Sequence, residues 1–365
     1  MSFGHFFLPG PTEVHPDVLA AQAQPMMGHR GKEMTSLIAE IDLPLRRIFA
    51  TERPVYVSSS SATGFMEAGV RNGVRRRALA LVNGAFSQRF ADLVADCGKE
   101  LEIFEVAWGE PHAPEEVRRR LLGGGFDAVT VVHSETSTGV LNPLGEIAEA
   151  VRSVEASNGE EILLLVDAVT SLGGAAVNTD DWGLDWVLTG SQKALALPPG
   201  LAFGSASRRM LDRAASLTGR GQYFDLIEFD RNWAKHQTPN TPALTLFYAL
   251  QKQLERIQAE GIEARLARHQ AMAERCWEWT ETTGARFGLS LFAPEGYRAP
   301  TVTAIAVPES HPGSEITKAL KARGYTIGSG YGKLKDATIR IGHMGDHDLD
   351  GLNRLLRELE EIFEG

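Results

Sequence analysis

An α/β fold is predicted: a large domain with a mainly parallel central sheet and helices on both faces, joined to a smaller α+β domain. Two observations predict the large domain. Between residues 55 and 203, short apolar runs alternate with stretches of helical length, the βαβα order that builds parallel sheets. The runs ILLLVDA (162–168) and DWVLTGS (185–191) are nearly continuously apolar, as strands buried on both faces are. A third observation predicts the second domain: from about residue 255 onward the pattern becomes long charged helices with few strands. The expected division is 14–254 for the large domain, with an arm at 1–13 and a small domain at 255–365.

The composition is compatible with this division. At 365 residues, roughly two domains of ~150 residues are expected. Apolar residues make up 43% and charged residues 23%, enough apolar material for a large core. The 37 basic and 47 acidic residues give a net charge of −10, which argues against nucleic acid or an acidic membrane as partner. Two cysteines, Cys97 and Cys276, build no disulfide framework, so a reducing, cytoplasmic setting is expected. The opening MSFGHFFLPGPTEV has no basic region followed by a long apolar stretch, so it does not read as a signal peptide. No apolar run approaches the ~18 residues of a membrane span.

The elements follow in order. Pro9-Gly10-Pro11 makes the segment 7–14 an irregular extended arm. A helix begins near residue 16, a glycine-broken loop covers 26–33, and 34–49 is an amphipathic helix. A short strand at 55–57 runs into Ser58-Ser59-Ser60-Ser61-Ala62-Thr63-Gly64, then a helix over about 65–77. Strand 78–83, helix 88–97, strand 101–106, helix 114–122 and strand 127–132 alternate after it. A polar cluster at 133–139 precedes a helix from about 144. Beyond the two central runs come a short strand at 201–204, a proline-punctuated loop at 237–242 and a helix over 243–258. Helix 262–285, strand 301–307, helix 315–323, strand 335–341 and helix 348–363 complete the chain.

Several of these elements end in residues with chemistry. Asp167 closes one buried run and Lys193 follows the next, and a charge at such a place needs a partner. In open α/β sheets ligands bind beyond the carboxyl ends of the strands. The two groups therefore either face one ligand or form a structural ion pair. The serine-rich turn before residue 65 offers N–H groups, hydroxyls and a positive helix end, either to a phosphate or simply as a cap. Phe86, just past a strand end, is placed either to cover a planar ligand or for ordinary packing. His133 reads as structural.

Taken together, FLPGPTEV, MMGHRGKEM, SATGFMEA, NGAFSQR, HSETSTGVLNP, LLLVDAVTSLGG, GSQKAL, TPNTPALTLFYAL and IRIGHMGD resemble the class V, fold type I, pyridoxal phosphate-dependent aminotransferases. The nearest group is the alanine/serine–glyoxylate (or pyruvate) aminotransferases, and the likeness spans nearly the whole chain. It implies a homodimer with shared active sites. It also implies transamination from a small amino acid to a small 2-oxo acid, by a ping-pong course through aldimine and ketimine stages.

The resemblance also implies residue roles. Lys193 would carry the cofactor as a Schiff base and Asp167 would face its ring nitrogen. Ser61, Ala62, Thr63 and Gln192 would hold the phosphate. Phe86 and Val169 would cover the two ring faces, and Thr136 would bond the ring hydroxyl. Thr241 and Thr238 would reach the phosphate from the second subunit. Arg340 would grip the substrate carboxylate, with Gly10, His29 and Arg30 also on the substrate side. Phe86 stands where relatives often have tryptophan, and Ala62-Thr63 where they often have Gly-His or Gly-Thr.

These residue types suit the chemistry. A carboxylate beside a ring nitrogen keeps it protonated, a displaced lysine is a free amine that can shuttle a proton, and a planar guanidinium matches a carboxylate at two points. The His29-Arg30 pair also resembles the phosphoserine aminotransferases, where such a pair meets the substrate phosphate. The IRIGHMGD ending favours the glyoxylate group, and the pair then merely borders the site at the dimer interface. A cysteine desulfurase is not expected, since Cys97 and Cys276 both fall on helices. An inactive binding protein of the same fold would have lost the lysine, aspartate or arginine, and all three positions are filled.

Overall fold

The computed structural model describes residues 3–365. Seven strands form the main sheet, in the order Tyr56–Ser58, Ala202–Ala206, Trp186–Gly190, Leu163–Asp167, Ala128–Val132, Arg77–Val82 and Glu100–Glu105. The five strands from Trp186–Gly190 to Glu100–Glu105 are parallel, and Ala202–Ala206 runs against both of its neighbours. The two central apolar runs pair directly, Val166 opposite Val187. They are buried throughout, which is why neither shows polar alternation.

Their packing explains two glycines. The fully buried Trp186 lies against Gly69 of helix Ala62–Gly73 and against Gly204 of the reversed strand, and a Cβ at either would collide with the indole. Trp186 Nε1 donates to the Phe65 carbonyl at 3.0 Å, so its one polar atom is satisfied.

A second sheet has the order Phe6–Phe7, Thr326–Ser329, Thr338–Ile341, Thr303–Ala306 and Ser290–Leu291. It buries Ile305, Ile327, Ile339 and Ile341 against helices Gly313–Ala322 and Leu349–Glu364, in a core separate from that of the main sheet. The arm expected to be irregular supplies its edge strand, with Phe7 opposite Ile327.

Other departures have local causes. The helix expected over 65–77 spans Ala62–Gly73, and a strand starts at Arg77. The Asp127 carboxylate accepts from the N–H groups of Arg75, Arg76 and Arg77 and holds that segment off the helix. Helices Arg208–Ser216 and Leu226–Trp233 were not expected. Each is under ten residues, and the cues were the capping residues Ser207 and Asp225, whose side chains accept from Met210 and Ile227 N–H. The last strand begins at Thr338 rather than at 335, because Gly332–Leu334 forms a 3₁₀ turn. No helix among the described residues is long and apolar enough to cross a membrane.

Candidate active site

The segments after four parallel strands converge at one end of the main sheet. They follow Val82, Val132, Asp167 and Gly190, and the serine turn after Ser58 joins them. Between them lies a cavity of about 190 Å³ lined by Ser61, Ala62, Thr63, Phe86, Arg89, Ser134, Thr136, Asp167, Val169, Gln192 and Lys193. A larger cavity of about 860 Å³, lined by Trp182, Trp277 and Arg298 among others, contains neither Asp167 nor Lys193.

Lys193 is 6% exposed, and its Nζ donates to the Pro9 carbonyl. Burial, and then the Arg340 guanidinium, push its amine down to about 7. The arm presses on it closely. Gly10 has φ +102°, and a Cβ there would lie 2.6 Å from Lys193 Cδ and Cε, so only glycine fits. Thr12 adds a hydroxyl bond to the Lys193 carbonyl at 3.1 Å.

Asp167 is 3% exposed, and one of its oxygens accepts from Val169 N–H at 2.7 Å. Burial lifts its carboxyl to about 7, against the pull of that N–H. Asp167 and Lys193 come no closer than an ion pair's 4.0 Å limit, so the structural pair considered above does not form. They line one cavity instead.

Helix Ala62–Gly73 starts at Ser61 with no side-chain cap, leaving its first N–H groups for an anion. Phe86 is half-buried, and its ring centroid lies 5.8 Å from Lys193 Nζ. The Thr136 hydroxyl bonds that of Thr170, and the Thr136 carbonyl accepts from Arg340 Nη1 at 3.2 Å. Arg340, on strand Thr338–Ile341, is thus carried from the second sheet to the edge of this cavity. Ser134 Oγ lines the cavity, buried and without a hydrogen-bond partner.

Six expected residues are absent from the lining of this cavity; Gly10 packs on Lys193 and Arg340 bonds the Thr136 carbonyl, while Thr238, Thr241, His29 and Arg30 lie elsewhere in the chain. Thr238 and Thr241 line a different small cavity with Ser58, Ser59 and Tyr223. The Thr238 hydroxyl donates to the Asn240 carbonyl at 2.7 Å. His29 and Arg30 do not line the Lys193 cavity either. The Arg30 guanidinium donates to the carbonyls of Thr238 (2.6 Å) and Pro239 (3.2 Å) of the same chain. His133 is structural as expected, buried with Nδ1 3.0 Å from Ser171 Oγ.

Three residues that sequence reasoning passed over belong to the site. Glu135 is fully buried and accepts from the N–H groups of Phe86, Ser87 and Ser137 and from both serine hydroxyls, which fixes the turn that carries Phe86. Arg89 and Tyr331 stand together at the cavity's rim, Nη2 to phenol oxygen 3.3 Å. An acidic residue three positions beyond a buried strand was the available cue for Glu135.

Residues 18–335 match the aminotransferase class V family. The chain is a class V aminotransferase, a pyridoxal phosphate-dependent enzyme. This aminotransferase is 38% identical, over 93% of its length and 87% of the relative's, to an uncharacterized aminotransferase of Methanocaldococcus jannaschii. It is 32% identical to the serine–glyoxylate aminotransferase of Methylorubrum extorquens, covering 94% of this chain and 86% of that one. The alanine–glyoxylate aminotransferase of Nostoc superposes with a TM-score of 0.90 at 32% identity, over 98% of this chain and 94% of that one.

The residues present fit that cofactor. The cavity offers an uncapped helix start, an isolated carboxylate, an aromatic wall, an unpartnered serine hydroxyl and a lysine held close to neutrality. Lys193 should therefore stand apart from the other lysines in the cofactor-free aminotransferase. Reductive methylation with formaldehyde is expected to label it half-maximally near pH 7, whereas an ordinary lysine titrates near ~10.4. Peptide mapping across pH 6–9 reads this, and equal labelling of Lys193 and surface lysines at every pH would contradict it.

Proposed function

We propose that this aminotransferase moves the amino group of a small amino acid, alanine or serine, to a small 2-oxo acid, glyoxylate or pyruvate. The observation that carries the reading is the buried Lys193 amine, unpaired with Asp167 in one cavity, with Arg340 bonded to the carbonyl of the lining residue Thr136. The serine–glyoxylate and alanine–glyoxylate relatives support the substrate class. Ser61, Ala62, Thr63 and Gln192 would hold the cofactor's phosphate. Phe86 and Val169 would cover its ring, Thr136 would bond its hydroxyl, and Asp167 would face its nitrogen. Thr238 and Thr241 would come from the second subunit of a homodimer.

When bound, pyridoxal phosphate supplies the aldehyde that captures an amine and a ring that absorbs charge developing at the substrate's α-carbon. Lys193 Nζ, 6% exposed and with its amine pushed down to about 7, would be the base that takes the α-proton from the substrate and delivers it to the cofactor. Asp167 lines the same cavity and would face the cofactor's ring nitrogen. Its raised carboxyl favours a partner that carries a proton between the two. Arg340 receives the substrate carboxylate. Its Nε is committed to the Ser329 carbonyl at 2.9 Å and its Nη1 to Thr136, so the fork is oriented before substrate arrives. The buried walls exclude water from Lys193.

Phosphoserine turnover is the second reading, motivated by His29-Arg30. Arg30 is held by backbone carbonyls of its own chain, which counts against it. The test compares alanine plus glyoxylate with phosphoserine plus 2-oxoglutarate on the purified holoenzyme. Turnover with the first pair is expected to exceed that with the second at least about tenfold, a difference of about 1.4 kcal/mol. Faster turnover of phosphoserine would reverse the assignment.

A further inference from the structure

The cavity of about 860 Å³ takes no part in the chemistry above. It lies where the two bodies of the chain meet. The main-sheet side supplies His133, the start of helix Leu144–Asn158 and Trp182. The other side supplies Leu266 and Trp277 of helix Ile262–Glu281, and residues of the loop that leads to strand Thr303–Ala306. Backbone bonds hold the walls together: Leu141 N–H donates to the Tyr297 carbonyl at 2.7 Å and Ala299 N–H to the Gly139 carbonyl at 2.9 Å. The hollow is thus formed by the fold itself, as ligand pockets usually are. It backs onto the Lys193 cavity but is separate from it. His133 lines one, while Ser134 and Thr136 of the same segment line the other.

Two half-buried indoles and mainly aliphatic side chains make up the walls. Trp277 already carries a cation of the chain: Arg298 Cζ lies 5.7 Å from its ring centroid, and Glu281 neutralises that guanidinium at 2.8 Å. Trp182 has no such partner among the described residues. Its neighbouring ring is that of His133, edge-on at 6.1 Å. Gly145 lets the indole lie on the helix start, since a Cβ there would come 3.1 Å from Trp182 Nε1. His133 is 3% exposed. Its Nδ1 meets Ser171, and its other ring nitrogen has no partner among the described residues, although the ring lines the cavity. Burial pushes this imidazole down to about 4, so it brings no positive charge. The remaining charged groups are Glu146 and Glu295, exposed and without an ion-pair partner among the described residues. The cavity therefore presents an indole without a cation, a neutral imidazole and two free carboxylates, and its one cation is already paired.

We propose that this cavity is a binding site for a small organic cation with an apolar body. The cationic head lies on the Trp182 indole, drawn in by the Glu146 and Glu295 carboxylates, and the body packs on Leu144 and Leu266. An ammonium placed on an indole is attracted by the negative face of the ring, and more strongly where the walls exclude water. Acidic groups around a low-dielectric hollow add to this by raising the local concentration of cations. A carboxylate ligand is disfavoured, because Arg298 is the only cation in the lining and Glu281 holds it. The site does not depend on the substrate pair proposed above.

Benzyltrimethylammonium is the probe, since its nitrogen carries no hydrogen and cannot condense with the cofactor's aldehyde. Benzyl alcohol has the same ring without the charge. Calorimetry on the wild-type holoenzyme is expected to give a Kd of about 1 mM or tighter for the cation, and at least about tenfold weaker binding of the alcohol. Trp182→Leu should weaken the cation about 2–30-fold, the range for one cation–π contact. The double variant Glu146→Gln, Glu295→Gln, at two exposed positions, should weaken it at least about twofold at low salt. Circular dichroism checks the folding of Trp182→Leu, and if that variant does not fold the double variant decides. Equal binding of cation and alcohol would show an apolar hollow only and overturn the site. So would no binding of the cation, or an affinity for it that neither variant changes.

Discussion

Lys193→Ala is expected to abolish the visible absorption band that forms when pyridoxal phosphate binds a lysine, and to lower transamination by about 10²–10⁴-fold or more. The size follows from the position of the amine. Among the described residues no other lysine lines the cavity, so no second amine is placed to substitute for it. The variant should fold. Lys193 Nζ is buried with only a carbonyl as partner, and removing an amine whose charged form is disfavoured by burial costs little beyond its packing. Far-UV circular dichroism separates loss of chemistry from loss of fold. A variant that retained the visible band would show that another residue holds the cofactor.

Asp346→Ala is expected to cost about 3 kcal/mol of stability, the low end of the range for breaking a buried ion pair. Asp346 accepts from Arg265 Nη2 at 3.0 Å, from Gln253 at 3.1 and 3.2 Å, and from Arg256 at 3.4 Å. Arg265 is 1% exposed. It keeps Glu260 as a second partner at 2.8 Å, which is why the low end applies. Burial tends to raise the Asp346 carboxyl, but the charge and hydrogen bond of Arg265 outweigh it and hold the group below the usual carboxylate range.

The sign of the pH effect follows from that direction. A depressed carboxyl contributes stability above its unfolded value of ~3.9, and the contribution fades as pH falls through the folded value. Urea unfolding at pH 7 should show the full difference between wild type and variant, and at pH 3 a smaller one. A difference equal at both pH values would contradict the role given to the charge. Arg265 also donates to the Ala194 carbonyl at 2.7 Å, next to Lys193, so cofactor affinity should fall along with stability.

Much of the candidate site was legible in the sequence. Buried strands carry their pattern in consecutive apolar residues, and a charge at the end of one, such as Asp167, has few structural excuses. Lys193 and the Ser61 helix start were legible for the same reason. Glu135 was not, because inside HSETSTG it looks like one more turn residue. Only its five hydrogen bonds with the Phe86, Ser87 and Ser137 groups show it to be a buried brace. The pairing of Arg89 with Tyr331 spans 242 residues and leaves no trace in local pattern. The helix end at Gly73 was missed because Asp127, on a different element, decides it. Thr238 and Thr241 were singled out by resemblance alone, and one chain does not bring them to Lys193.

The arm has a consequence for the order in which the molecule can be completed during synthesis. Residues 6 and 7 pair with strand Thr326–Ser329, a separation of 320 residues, so they are made long before their partner. The same arm lays Pro9 and Gly10 on Lys193, 184 residues from Pro9. Contacts so distant along the chain form late. The main sheet can assemble around Asp167 and Lys193 while the last strands are still being made, but the arm has no edge to join until Thr326–Ser329 emerges. The covering of Lys193 is thereby tied to the arrival of strand Thr326–Ser329, and a nascent chain cut short before it would display that lysine without Pro9 and Gly10 over it.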